Sequence, residues 1–142
     1  MNHLSDLPEK GLRSREDQAK IEEFKKDNRS NWGKISFNKE NSTLVKEYEF
    51  WMIIENAYPY SIVADVSHML VPKRVFSNSV DMNEDEYQEL KEIRKEMVGE
   101  YDSMILNFQA RSNKHHFHIH LINWANHENI YKRSKEFFEE ND

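Results

Sequence analysis

Short apolar runs rich in β-branched and aromatic residues begin at Trp32 and are separated by polar turns. Residues 34–37 and 44–48 flank the polar segment 38–42 and read as the two arms of a hairpin. Residues 50–54 are apolar enough for a central strand, which Asn56, Ala57, Tyr58 and Pro59 break. Residues 61–66 and 68–71 continue the extended pattern until Pro72 ends it, and residues 104–108 and 116–122 supply further strands.

Helical spacing is clearest after residue 82. Asn83 is a good N-cap, and Glu86 at the third helical position completes a capping box. Tyr87, Leu90, Ile93, Met97 and Tyr101 then recur at helical intervals, predicting a helix from Asn83 to about Tyr101 with a stripe that packs on the core. Ser14 with Asp17 three places on predicts a peripheral helix to about Lys26, and residues 128–139 predict a C-terminal one with Ile130, Phe137 and Phe138 to dock. The expected class is α+β: a mainly antiparallel sheet of about five strands, one long helix, and N- and C-terminal helices. The expected division is an arm at 1–31, partly helical, a domain at 32–125 and a helical tail at 126–142.

Composition narrows the chemistry. With 142 residues the chain can bury one core, and there is no cysteine, which removes disulfides, thiol nucleophiles and cysteine-based zinc sites. Only Gly11, Gly33 and Gly99 are glycines, so a glycine-rich phosphate loop is excluded and any phosphate must be held by side chains and ordinary amides. A net charge of −6 argues against nucleic acid as the partner. No apolar run approaches the roughly 20 residues of a membrane span, and residues 1–18 lack the apolar core of a signal peptide. A cytoplasmic protein is expected.

The chemistry sits in Lys114-His115-His116-Phe117-His118-Ile119-His120-Leu121-Ile122. In an extended chain side chains alternate, so His116, His118 and His120 project to one face and Phe117, Ile119 and Leu121 to the other. Three alternating histidines in five residues exceed what a merely polar sheet face needs. Neutral imidazole is a nucleophile toward phosphorus, and its neighbours can donate to phosphate oxygens. The same arrangement suits zinc, since histidine is the commonest metal ligand. Alternation alone leaves both open.

The segment His116-Phe117-His118-Ile119-His120-Leu121-Ile122 resembles the motif of the histidine triad (HIT) superfamily, in which three histidines alternate with apolar residues. Upstream, Pro59 and then Ser67-His68-Met69-Leu70-Val71-Pro72-Lys73-Arg74 resembles the family's strand from a histidine into Pro-Lys-Arg. Residues 81–86 resemble the entry to its long helix, and order and spacing agree from about Trp32 to Ile122. The resemblance implies a nucleotide hydrolase or transferase. His118 would attack the α-phosphate and form a nucleotidyl-histidine, with His116 and His120 orienting the site and binding phosphate oxygens. It further implies phosphate contacts from His68, Asn113 and Asn107, nucleoside contacts from Asn56 and Ile54, and a homodimer. No metal is required by the imidazole mechanism, although magnesium could accompany a polyphosphate.

Several positions depart from the family's pattern. Asn113 stands where a Ser or Thr is frequent, and an amide is a poor proton donor to a leaving group. Asn56 stands where an acidic residue usually meets the ribose. Ala110-Arg111-Ser112 replaces a glycine-containing loop, the stretch from Pro59 to His68 is longer by several residues, and Trp124 is expected to pack in the core. Two alternatives remain beside the enzyme: a zinc-binding protein that uses the triad as ligands, and a catalytically silent nucleotide-binding module.

Overall fold

The computed structural model describes residues 13–27, 36–108 and 113–139. Helix α1 spans Arg15–Asp27, and strands β1 (Leu44–Glu47), β2 (Trp51–Glu55) and β3 (Ala64–Pro72) follow it. A 3-10 turn at Ser79–Asp81 leads into helix α2 (Glu84–Met97). Strands β4 (Ser103–Leu106) and β5 (Ile119–Trp124) then precede helix α3 (His127–Glu139). The strands form one sheet in the order β1-β2-β3-β5-β4 with every neighbour antiparallel, so the class is α+β, as the sequence predicts. No helix among the described residues is long and apolar enough to cross a membrane.

The two faces of the sheet do different work. Trp51, Ile53, Leu70, Phe117, Ile119 and Leu121 pack with Leu90, Ile93 and Met97 of α2. That is the main core, and the hydrophobic effect drives it because these side chains leave water almost completely. Trp51 Nε1 donates to the Glu86 carbonyl at 2.9 Å, and Glu89 accepts from the Phe50 and Trp51 amides, so β2 and the helix fix each other's position. The other face carries a smaller cluster of Met52, Ile54, Met69 and Val71, against which Phe37 packs.

Several boundaries differ from the sequence reading. The arm of the expected hairpin at 36–37 is not a strand (34 and 35 lie outside the described residues), and β1 pairs instead with β2 across the turn at 48–50. Asn38 and Asn41 close a tight turn through 3.0 and 2.9 Å bonds, which turns the chain before a hairpin can form. The two short runs at 61–66 and 68–71 become the single strand β3. Helix α2 has the expected capping box, Asn83 with Glu86, but ends at Met97. Tyr101 lies beyond the helix, half-buried against the core, and Tyr87 faces outward at 59% exposure although its spacing predicts a place on the packed stripe. Trp124 is exposed rather than in the core, its indole bonded to Ser103 Oγ at 2.8 Å.

One loop holds the periphery together. Residues 56–63, between β2 and β3, receive Arg13 Nε on the Tyr58 carbonyl and the Ser14 amide on Ser61 Oγ. Ser61 Oγ donates in turn to Asp17 at 2.6 Å. From the other side, Arg133 of α3 reaches the Ser61 and Ile62 carbonyls and Asp65, and the Ala125 amide reaches Val63. Helices α1 and α3 thus grip the same loop.

Candidate active site

Cross-strand pairing assigns the faces. In an antiparallel ladder, directly opposed residues project to the same side. Ile105, His120, Met69 and Ile54 are opposed in succession across β4, β5, β3 and β2, and so share one face. His118 stands against His120 with ring centroids 5.1 Å apart. Phe37 packs on His116 and His118 at 5.4 and 5.7 Å. The three imidazoles therefore gather as alternation predicts, although only His120 lies within β5; His116 and His118 are in the chain just before it.

Each ring has its own environment. His116 is wholly buried; its Nδ1 accepts from the Phe37 amide at 2.8 Å and its Nε2 faces the Pro72 carbonyl at 2.7 Å. A carbonyl can only accept, so Nε2 carries the hydrogen and Nδ1 the lone pair. Both nitrogens are thereby committed to backbone. Burial holds the ring's pKa below the ordinary histidine value despite the Pro72 bond. His118 bonds through Nδ1 to the His116 carbonyl at 3.0 Å, which places its hydrogen on Nδ1 and its lone pair on Nε2. Burial lowers its pKa too, with the carbonyl bond partly opposing. Among the described residues Nε2 of His118 has no hydrogen-bond partner. His120 is pushed down to about 3 by burial, with His118 and Arg13 adding repulsion. Its Nε2 lies 3.5 Å from Tyr60 Oη.

The remaining predicted residues are dispersed. His68 does not reach the triad: it is opposed to Leu121 and Glu55, on the α2 face, and its Nδ1 meets Tyr101 Oη at 2.7 Å. The reason is parity. His68 is four residues before Pro72 and shares its face, whereas Ser67, Met69 and Val71 share the triad's face. Ile54 is on the triad's face but fully covered within the Phe37 cluster. Asn56 braces the β2–β3 loop, with Oδ1 accepting from the Tyr58 amide and its own amide donating to the Ser67 carbonyl. Asn113 Oδ1 accepts from the His115 amide at 3.1 Å and shapes the entry to the triad. Asn107 follows β4 at the surface. Residues 110–112, including Arg111, lie outside the described residues.

Three residues at the site have no motif to reveal them: Phe37, Tyr60 and Arg13. Phe37 sits on two of the histidines, and Tyr60 packs on His120 at 5.1 Å. Arg13 is 4% exposed and lies over the Tyr60 ring at 4.7 Å. The extra length between Pro59 and His68 was the sequence's hint of the Tyr60 loop. A lone arginine in a charged leader gives no signal.

As a zinc site the triad fits poorly. Tetrahedral coordination through all three rings requires a free nitrogen on each, and both nitrogens of His116 are held by backbone. Among the described residues no three His, Asp or Glu side chains are grouped as metal ligands.

The family model described as "Protein of unknown function (DUF3605)" matches residues 10–134. The chain belongs to the DUF3605 family. No curated protein sequence matches it. Among solved structures, this DUF3605 protein is similar to a HIT family hydrolase from Clostridium thermocellum (23% identity, 61% of this chain and 82% of that one, TM-score 0.47). It is also similar to a HIT family hydrolase from Legionella pneumophila (19% identity, 58% and 80%, TM-score 0.45). A third is a hypothetical histidine triad nucleotide-binding protein from Sulfolobus tokodaii (21% identity, 72% and 85%, TM-score 0.45). All three carry the name of the family that the sequence resembles. At these identities and TM-scores the likeness is distant.

Proposed function

We propose that this DUF3605 protein is a nucleotide hydrolase or transferase in which His118 Nε2 attacks the α-phosphorus of a nucleotide substrate. The observation that carries the reading is the hydrogen bond from His118 Nδ1 to the His116 carbonyl. It fixes the neutral tautomer whose lone pair is on Nε2, and burial keeps the ring from protonating near neutral pH. A buried histidine serving only as packing gains nothing from a free Nε2. A nucleophile requires one.

The chemistry closes in two steps. The Nε2 lone pair forms a nitrogen–phosphorus bond while the bond to the leaving group breaks, the electron pair departing with that group. The ring is then cationic, and its Nδ1–H strengthens its bond to the His116 carbonyl, a charge-assisted interaction formed as the charge develops. Water or another acceptor attacks phosphorus, loses a proton to solvent, and the nitrogen–phosphorus bond breaks. Nucleoside monophosphate or its ester leaves, and Nε2 regains its lone pair. His116, its nitrogens committed to backbone, is the positioning residue: it holds the carbonyl that orients His118.

The test is a substrate panel of adenosine phosphoramidate, a diadenosine polyphosphate and ADP-ribose-like adducts, quenched in denaturant at alkaline pH, where an imidazole–phosphorus bond survives, and read by mass spectrometry. The expected result is release of nucleoside monophosphate and a mass increment of one nucleotidyl group on the peptide containing His118. His118→Ala should abolish the increment and lower turnover by several orders of magnitude. Turnover unchanged in that variant ends the covalent reading.

A further inference from the structure

Among the described residues, two buried polar atoms beside the triad lack a hydrogen-bond partner: Arg13 Nη1 and His120 Nδ1. Buried polar groups are nearly always satisfied, and a buried charge without a partner costs several kcal/mol (an order of magnitude). Two such atoms on neighbouring side chains mark a place where something polar belongs. The neighbours are linked through Tyr60, whose ring packs on His120 at 5.1 Å and lies 4.7 Å from the Arg13 guanidinium carbon.

The identity of the missing partner follows from charge. A guanidinium is cationic whenever proteins are folded and has five N–H donors and no acceptor, so its partner is an acceptor and, in a buried place, an anion. Among the described residues no carboxylate pairs with Arg13; Nε goes to the neutral Tyr58 carbonyl. Among the same residues Arg13 is the one buried Lys or Arg, and Lys114 next to the triad is exposed. The triad itself brings no charge, since burial keeps all three rings neutral. Among the described residues, an anion entering this site therefore meets its buried cation at Arg13.

Arg13 is also held too firmly for a passing contact. It directly precedes Ser14, whose Oγ accepts from the Asp17 amide at the start of α1 and whose amide donates to Ser61. Its own Nε bond ties it to the loop that carries Tyr60. The guanidinium is thus positioned by the helix on one side and by the loop on the other, leaving Nη1 uncommitted.

We propose that Arg13, with His120 and Tyr60, forms an anion subsite that holds a phosphate group of the nucleotide. The carrier of the phosphate rests on the reading in the preceding section; the anion subsite rests on Arg13 alone. The segment before α1, which carries no histidine-triad motif, is then part of the binding machinery and sets a preference for phosphorylated ligands over the bare nucleoside.

Calorimetric titration of the full chain separates the two ideas, with AMP, GMP, their nucleosides and inorganic pyrophosphate as probes. In the wild type the monophosphate should bind more tightly than its nucleoside. Arg13→Gln should weaken monophosphate binding by about 10- to 100-fold, the range of a hydrogen bond to a charged group, and leave nucleoside binding within about twofold. Arg13→Lys, which keeps the charge without the planar fork, should fall between, and it stands in if the glutamine variant does not fold. Monophosphate affinity unchanged in Arg13→Gln, or an equal loss for nucleoside and monophosphate, overturns the subsite. Failure of the covalent reading appears elsewhere, as no adduct on His118, and leaves these affinities intact. If the wild type binds no nucleotide, pyrophosphate binding that Arg13→Gln removes still supports the subsite. Absence of that binding overturns it.

Discussion

His116 bonds backbone through both ring nitrogens, and its substitution tests what a satisfied buried imidazole contributes. His116→Ala strands the Phe37 amide and the Pro72 carbonyl in the interior and leaves a cavity. A loss of about 3–5 kcal/mol is expected, combining the stranded groups with the cavity, measurable as a lower urea midpoint. The same chemistry sets a pH dependence. All three triad rings have pKa values below the ordinary histidine value of 6.5 in the folded chain. The unfolded chain therefore binds protons first as pH falls. Stability is fully present above about 6.5 and declines as pH drops toward the folded values, the lowest being about 3 at His120. Thermal melts between pH 7 and pH 4 should show this decline, and it should be shallower in a folded His120→Gln variant. Alternation made the shared face of the triad legible in the sequence. The tautomers were not legible, because they depend on acceptors 2 and 44 residues away. The place of His68 in a motif is visible in the sequence, but its face depends on parity along β3, which sets it with Glu55 and Leu121.

At the scale of elements, local signals were reliable where the deciding contacts are local. The capping box of α2 lies within four consecutive residues, Asn83 to Glu86, and the structure contains it. Asn83→Ala should cost about 1 kcal/mol, seen as a shift of the urea midpoint with the slope unchanged. Where partners are distant, pattern gave less. The stretch at 36–37 looked like a strand, yet the Phe37 amide is used by His116, 79 residues on, and no ladder forms there. The periodicity continues through Tyr101 and so predicts a longer helix than the one that ends at Met97. In the structure Tyr101 bonds His68 from outside the helix.

At the scale of the whole molecule, the long loop between β2 and β3 is where the ends of the chain converge. Arg133 of α3 supplies two contacts to it and one to Asp65 at the start of β3, and Arg133→Ala should loosen it without touching the triad. Hydrogen exchange at the Val63 and Ala64 amides, which bond back to Tyr60, should accelerate by roughly tenfold, as for a lost charged hydrogen bond; exchange in the middle of α2 should stay the same. Unchanged exchange at Val63 and Ala64 would show that the loop is held without Arg133. The composition hinted at this loop only through its length, since the residues that clasp it lie in segments without a recognisable motif.

The clasp has a thermodynamic corollary. Tyr60 stands at the site while its loop is held by α1 and α3, so any ligand that orders Tyr60 against His120 must also tighten both helices by the same coupling free energy. Slower exchange in α1 and α3 would then report occupancy of the site, whatever molecule fills it. A library of small molecules could be ranked on that signal before any substrate is known, with His118→Ala carried alongside to separate binding from turnover.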